Sequence, residues 1–241
     1  MLATSRPLEF AMQRRTLLQG AAGLAAVMAL PRVHAEEAPA PVPVPGRDWF
    51  VFLERGAPTP PDKERVMAMQ KGHIENFGRL FAAGKLFAAG PMRDPSQLKR
   101  GIVVVRAPDL EALRRYFDED EYVALGHMTL NAQPCVVKKA LNTTGLNLQK
   151  IVENRIVMLS GAAALAAEER RQLDARLQAL VEAGTLGAWY AMEAGPIDHI
   201  LFSAGKDEAP LQAALATLPG RADERLQAAV WGQWFAEGVV R

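Results

Sequence analysis

Cysteine and histidine are both scarce in this chain, which has one cysteine and four histidines among 241 residues. Because Cys135 is the only cysteine, no internal disulfide can form, and the fold must be stabilised by buried apolar surface. No two histidines are close in sequence, and the His-Glu-x-x-His and paired-cysteine spacings of metal sites are absent. The sequence therefore indicates no metal site.

Several other functional motifs are also missing. The chain has no Gly-rich phosphate loop and no Gly-x-Ser-x-Gly turn, which argues against a loop-bound nucleotide and against a serine hydrolase. Its charges nearly balance, with 28 basic and 27 acidic residues, and they form no basic stripe. We therefore expect no nucleic-acid partner.

The first 35 residues have the layout of an export signal. Arg14 and Arg15 precede a largely apolar stretch of 14 residues, Leu17 to Leu30, which is shorter than the roughly 20 residues of a transmembrane helix. The arginine pair is typical of twin-arginine export, and small residues ending at Ala35 fit a peptidase cleavage site. We expect a periplasmic or secreted protein with no membrane contact after cleavage; a membrane-anchoring N-terminus is the alternative.

The rest of the chain contains one pattern twice. After a Pro-rich linker at residues 36–47, a helix-like stretch in each half ends in Ala-Gly and a new apolar run, at Phe81–Leu86 and again at Val181–Leu186. The offset between the two is 100 residues. Such self-similarity predicts a duplicated unit.

Each half is predicted to have the strand-helix-strand-strand-helix-strand order of the split βαβ, or ferredoxin-like, unit. Strands are predicted from short apolar runs, and helices from apolar residues at helical spacing that end at glycine. The elements predicted in the first half are strand Trp49–Leu53, a helix from Pro60 to Gly84, strands Leu86–Pro91 and Gly101–Arg106, helix Pro108–Phe117 and strand His127–Val137. Those predicted in the second half are strand Arg155–Leu159, helix Ala166–Ala183, strands Leu186–Met192 and Asp198–Ser203, helix Ala209–Leu218 and strand Ala228–Phe235.

The fold class expected from this order is α+β, with two ferredoxin-like repeats at residues 48–138 and 155–241 joined by a linker at 139–154. Helices cover one face of each sheet and leave the other apolar face bare. The residues expected on the bare faces are Phe87, Val103, Val105, Trp189 and Phe202. Packing these faces together would form an internal pseudo-dimer, or dimeric α+β barrel. The alternative is two separate units that use their bare faces to form a homodimer or larger oligomer.

Residues in the first half carry a resemblance to a known family. The features are His73 within Gly-His-Ile, the helix end Ala83–Leu86, the strand end Ala89–Pro91, and the segment Asp120–Val123 followed by Gly126. In these features the stretch from about Trp49 to Val137 resembles the YCII-related family, which consists of ferredoxin-like domains that assemble as dimeric α+β barrels. One departure is Glu121, which stands where that family usually has proline.

The resemblance implies a role for two residues. His73 and Asp120 match the histidine and aspartate shared by the family, some of whose members are dehalogenases or isomerases of the muconolactone type. The second repeat has Leu173 at the position that corresponds to His73. We therefore expect a degenerate second copy without a site.

The sequence itself also singles out His73. It shares the helical spacing of Val66, Met69, Phe77 and Leu80, so it is expected to face the sheet. A buried imidazole needs a hydrogen-bond partner, and an aspartate can fix its tautomer and stabilise the imidazolium that forms when it acts as a general base. The alternative is a core histidine that serves packing alone.

The other candidates are weaker. Asp94, in a loop after Gly90-Pro91, is a second candidate partner of His73, although a turn residue before Pro95 is the simpler interpretation. His127 is expected at the surface, and His199 is given no role. A haem would need one of these three histidines as its ligand, but no haem motif is present, so no cofactor is expected.

The sequence is consistent with two different functions. One is a cofactor-independent enzyme of the isomerase, lyase or dehalogenase type that uses His73 and Asp120, with Asp94 as a further candidate, on a small organic acid or lactone. The other is a non-catalytic periplasmic protein that binds a small molecule or a partner with the same fold. Tryptophans of the second half, such as Trp234, are expected in the core or along an apolar ligand cavity.

Overall fold

The computed structural model describes residues 45–241. The predicted export signal at residues 1–35 and most of the predicted linker at 36–47 lie outside the described residues. The elements in chain order are β1 (Arg47–Arg55), α1 (Lys63–Ala82), β2 (Leu86–Pro91), β3 (Lys99–Ala107), α2 (Leu110–Arg115), α3 (Glu121–Ala124), β4 (Met128–Lys139), β5 (Asn147–Ser160), a 3-10 helix (Ala162–Ala164), α4 (Ala167–Glu182), β6 (Ala188–Met192), β7 (His199–Ser203), α5 (Ala209–Ala216) and β8 (Gln227–Glu237).

These strands form one antiparallel sheet in the order β2-β3-β1-β4-β6-β7-β5-β8. The last four strands repeat the order of the first four, since β6, β7, β5 and β8 occupy the places of β2, β3, β1 and β4. Pairing of β4 with β6 joins the two halves, with Cys135 opposite Met192. The duplicated pattern in the sequence therefore corresponds to a duplicated sheet.

The two outer strands of this order, β2 and β8, also meet. Met92 and Gln233 form an antiparallel bridge, and the backbone N–H of Arg93 donates to the carbonyl of Gly232 at 2.8 Å. We call this narrow contact between β2 and β8 the seam. The seam closes the sheet into a barrel, which confirms the predicted α+β fold with two ferredoxin-like units.

Buried apolar side chains form three groups. The barrel interior contains a cluster of aromatic rings from both halves. These are Phe50, Phe52, Tyr190, Phe202 and Phe235. The other two groups lie between the sheet and the helices of each half. Both faces of the sheet are thus covered within a single chain.

The prediction of which sheet face each strand residue occupies is only partly confirmed. Phe87 and Phe202 pack in the barrel interior, as predicted. Val103, Val105 and Trp189 pack instead beneath the helices, so their predicted placement is wrong. Strands that are buried on both faces have no polar residue to mark the outer face, and a shift of one residue reverses every side chain.

Helix α1 positions the residues of interest. The Asp62 side chain accepts hydrogen bonds from the backbone N–H groups of Glu64 and Arg65 and so begins the helix. The helix ends before Gly84, whose φ of 66° is a conformation that glycine tolerates well. Its buried face carries Met69, His73, Asn76 and Leu80. None of the helices within residues 45–241 is both long and apolar enough to cross a membrane.

The segment predicted as a linker at residues 139–154 contains regular structure. Strand β4 extends to Lys139, and β5 begins at Asn147 rather than at Arg155. The early part of β5 pairs with the end of β8 around Glu237, and most of its side chains are exposed. Because this arm buries little side-chain surface, its sequence lacks the alternation of apolar and polar residues by which half-buried strands are recognised.

Gly90 in β2 permits the seam to form. A Cβ atom at this position would overlap the carbonyl oxygen of Trp234 in β8 and would lie 3.0 Å from the Gln233 amide nitrogen. A backbone atom cannot move aside as a flexible side chain can. Only glycine therefore allows the two strands to approach this closely.

Replacement of Gly90 by alanine should weaken the seam. We expect a loss of about 1–3 kcal/mol from overpacking and a melting temperature lower by roughly 3–10 °C for a protein of this size. The matched control is Gly78→Ala in α1, where an added Cβ meets nothing within 4 Å and a gain of about 0.5–1 kcal/mol is expected. Thermal unfolding followed by circular dichroism measures both. Equal melting temperatures for Gly90→Ala and the wild type would contradict the role given to Gly90.

Candidate functional site

His73 and Asp120 form a buried pair. Their side chains are 6% and 0% exposed, and the His73 Nδ1 atom lies 2.6 Å from Asp120 Oδ2. The Asp120 carboxylate also accepts the backbone N–H of Tyr122 through Oδ1 at 3.1 Å and begins helix α3. The contact between His73 and Asp120 that the sequence suggested is therefore made.

The contact with Asp120 fixes the orientation of the imidazole. An ionised carboxylate can only accept, so Nδ1 of His73 must donate its proton to Asp120. The neutral tautomer then has a lone pair on Nε2. Nε2 makes no hydrogen bond with the described residues, and His73 lines a cavity. The atom is thus placed to accept a proton from a bound molecule.

Two aromatic rings flank the imidazole. The ring centre of Phe77 lies 4.3 Å from that of His73, and the ring of Tyr122 meets His73 edge-on at 5.6 Å. Burial raises the pKa of the Tyr122 phenol, so Tyr122 stays protonated at neutral pH. The surroundings of His73 are therefore largely apolar, with a neutral phenol nearby.

A cavity of about 410 Å³ opens beside His73, between α1 and the sheet at the seam. We call it the first cavity. It is lined mainly by apolar residues from both halves, namely Leu53, Ile74, Phe77, Ala89, Gly90, Pro91, Gly101, Met128, Ile151, Trp234, Phe235 and Ala236. The polar lining residues are His73, Gln70 and Arg100. An apolar cavity of this size with a few polar groups is typical of a small-molecule site.

Asp94 lies elsewhere. Its carboxylate accepts the backbone N–H groups of Ser96 and Lys99, each at 2.8 Å, and it also bonds the Ser96 hydroxyl. Burial alone would raise the pKa of Asp94, but the hydrogen bonds from Lys99 and Ser96 together hold it below its ordinary value. None of these bonds reaches His73. The contacts are those of a turn residue that holds the loop between β2 and β3.

The other two histidines have different surroundings. His127 has Nδ1 3.2 Å from the carbonyl oxygen of Ala57. His199 is buried in the second half, and its Nδ1 accepts the indole N–H of Trp189 at 3.2 Å, while Nε2 is 3.9 Å from Asp174. Burial lowers the pKa of His199, although the charges of Asp174 and Asp198 oppose this effect. His199 therefore acts as a neutral core residue.

Apolar packing excludes a haem from the helix layer of the second half. In the second half, leucines including Leu173, Leu177 and Leu180 fill the layer between helix and sheet. The first cavity, in the first half, is lined by a single histidine, His73, the ligand that a haem there would need. Residues 45–241 also contain no group of three His, Cys, Asp or Glu side chains that could hold a metal ion.

Several residues of the cavity were not found from the sequence. Arg100 is the second residue of β3, next to Gly101, and Ile151 lies in the arm that was predicted to be a linker. Strand pairing and closure of the barrel at the seam place both residues close to His73. No local pattern in the sequence marks either residue.

No family model matches the chain, and no curated protein matches it. Solved structures do match its fold. A mutant chlorite dismutase from Candidatus Nitrospira defluvii in complex with cyanide is 17% identical, with a TM-score of 0.51 over 77% of this chain and 90% of that one. A second mutant of the same enzyme is 16% identical, with a TM-score of 0.51 over 78% and 91%. A putative monooxygenase from Fusobacterium nucleatum is 8% identical, with a TM-score of 0.50 over 81% and 97%.

These findings correct one prediction. The assignment to the YCII-related family is wrong, since no model of any family matches and the structural neighbours are of the chlorite dismutase type. The likeness to these neighbours establishes the dimeric α+β barrel fold and shows that the fold is used by enzymes. At this level of identity the site must be interpreted from its own residues.

Burial of His199 should make stability depend on pH. Above the ordinary histidine pKa of 6.5 the ring is neutral in both states. As the pH falls below that value, the unfolded chain takes up the proton more readily than the folded one, so the folded state loses stability. We expect the free energy of unfolding to decrease as the pH is lowered from 7.5 to 5.5. The decrease should be smaller in His199→Gln than in the wild type.

Urea denaturation at both pH values measures this effect. His127→Gln is the matched control, because His127 is only half-buried and contacts the Ala57 carbonyl, and this variant should keep the wild-type dependence. If His199→Gln and the wild type lost the same stability on acidification, the proposed effect of His199 would be wrong.

Proposed function

We propose that this chain is an enzyme that transfers a proton on a small organic acid or lactone, with His73 as the general base and no bound cofactor. The observation that carries this proposal is the position of His73. Its Nδ1 is held by Asp120 at 2.6 Å, which leaves Nε2 as the ring nitrogen available to a molecule in the first cavity, which His73 lines. A base oriented by a carboxylate at the edge of an apolar cavity is the arrangement that general base catalysis needs.

The geometry supports a proton transfer next to a carbonyl group. His73 Nε2 would take the proton from the carbon, and the imidazolium that forms would be stabilised by the ionised Asp120. In an isomerisation the same imidazolium would return the proton to a different carbon of the substrate. In an elimination a leaving group would depart with the electron pair as the double bond forms. Reactions of the isomerase, lyase or dehalogenase type share this first step.

A non-catalytic role is the second candidate, and one observation favours it. Asp120 is the N-cap of α3 and binds His73 on α1, so the pair also ties together two helices that are distant in sequence. Loss of this contact would leave a buried polar group without its partner, at a cost of about 1–3 kcal/mol. On this view the first cavity would bind a small molecule without changing it.

Replacing His73 by asparagine separates the two candidates. The asparagine amide can still donate to Asp120 but has no basic nitrogen. We expect the melting temperature to stay within about 3 °C of the wild type, which corresponds to roughly 1 kcal/mol, and the catalysed rate to fall about 100-fold or more. Lys71→Asn is the control, because Lys71 is exposed on the same helix and lines no cavity, and it should leave the rate unchanged.

The rate can be measured before the full reaction is known. Five-membered lactones and small 2-oxo acids are incubated with the protein in D₂O, and exchange of the carbon-bound hydrogen next to the carbonyl is followed by NMR. A general base at His73 should speed this exchange. Absence of exchange with every probe, together with a large drop in stability of His73→Asn, would favour the structural role.

Export is a further part of the proposal. It is supported by Arg14 and Arg15, by the apolar stretch Leu17–Leu30 and by the small residues before Ala35. Expression of the full chain in a bacterium with twin-arginine export should yield a periplasmic protein. Its measured mass should be that of a chain that starts at Glu36. Substitution of both arginines by lysine should keep the protein inside the cell. A periplasmic product from that variant would exclude the twin-arginine route.

A further inference from the structure

A second cavity of about 420 Å³ adjoins the first. The two cavities share three lining residues, Gln70, Arg100 and Met128. The second cavity therefore continues the first beyond Arg100, toward the ends of β1 and β4.

The polar groups of the second cavity favour a negatively charged ligand. Its lining includes Arg55, Arg100, His127 and the hydroxyl-bearing Tyr122. No aspartate or glutamate lines either cavity. Positive charge without a matching acid in a concave, partly apolar site attracts anions.

Arg100 has no acidic partner among the described residues, in contrast to three paired arginines of the same half. Arg106 is paired with Asp48, Arg65 with Glu121 and Arg79 with Glu119. Arg100 forms no ion pair and no side-chain hydrogen bond with the described residues. Its guanidinium is thus free to bind a carboxylate through two parallel N–H···O hydrogen bonds.

Two opposite charges act near His73. Burial raises the pKa of Tyr122, and of the charges around it Arg100 lowers this pKa whereas Asp120 raises it. Both charges therefore act on the space beside Tyr122. The positive charge of Arg100 offsets the repulsion that the Asp120 carboxylate would exert on an anion bound there.

From these observations we infer that the two cavities form one binding site for a carboxylate with an apolar body. The carboxylate binds Arg100, with Arg55 nearby in the second cavity, and the apolar part lies in the first cavity beside His73. Arg100 is then a specificity-determining residue that selects acids over neutral lactones. This inference rests on the proposed function, because it names the substrate class of the same site.

Binding can be tested with simple probes. Benzoate, phenylacetate and hexanoate are compared with the matching primary amides, benzamide, phenylacetamide and hexanamide, which have nearly the same shape but no charge. Isothermal titration calorimetry on the purified protein measures each Kd. We expect at least one acid to bind about tenfold or more tightly than its amide, and this preference should shrink as salt is raised.

Substitution of Arg100 tests whether this residue causes the preference for acids over amides. Arg100→Gln should raise the Kd of the acid about tenfold or more and leave that of the amide within about twofold. Arg114→Gln is the control, since Arg114 is exposed on α2 and lines neither cavity. Equal binding of acids and amides, no binding of any acid, or an unchanged Kd in Arg100→Gln would each overturn the inference.

The result can be separated from that of the proposed function. His73→Asn should still bind the acid more tightly than its amide, because the carboxylate contact with Arg100 does not involve the base. If the acid binds through Arg100 but no hydrogen exchange occurs, the inferred carboxylate site is supported and the catalytic proposal is contradicted. If exchange occurs on neutral lactones but no acid binds, the catalytic proposal is supported and the inferred carboxylate site is contradicted.

Discussion

Closure of the barrel at the seam is the constraint on which the candidate site depends. Strands β2 and β8 come together through the bridge between Met92 and Gln233 and through the absence of a side chain at Gly90. This contact places Trp234 of the second half in the wall of the cavity beside His73. Without it, helix α1 would present His73 at an open sheet edge, in contact with water. The second repeat thus builds the site although it carries none of the candidate catalytic groups.

The His73–Asp120 pair has a structural cost that the fold offsets locally. Burying an unpaired carboxylate or imidazole is unfavourable, and here each satisfies the other. Asp120 also accepts the Tyr122 N–H, so its second oxygen is not left without a partner. The same contacts that stabilise the pair fix the imidazole and leave Nε2 without a partner among the described residues. Stability and chemistry are therefore coupled, and only a substitution that keeps the Asp120 hydrogen bond can separate them.

Much of the fold could be predicted from the sequence, because apolar runs and glycine stops recur at an offset of 100 residues. Gly84 and Gly184 both adopt positive φ where a helix ends, at 66° and 74°. Such features are common to many ferredoxin-like units, which explains why they suggested a family that the comparisons do not support. His73 was found because its helical spacing places it on a buried face, whereas Asp120 was named only through the resemblance to that family. Arg100 could not be found, since its place beside His73 arises from strand pairing and closure, which leave no local pattern.

The two repeats differ at the position of the candidate site. Leu173, at the position equivalent to His73, is completely buried among the leucines of the second half. An apolar side chain there needs no hydrogen-bond partner, so no aspartate is required in the segment equivalent to Asp120. The second half can therefore be packed for stability alone, and it shares that stability with the first through the aromatic residues of the barrel interior. The first half can then tolerate a cavity and a buried polar pair, which a single ferredoxin-like unit of half the size would support less easily.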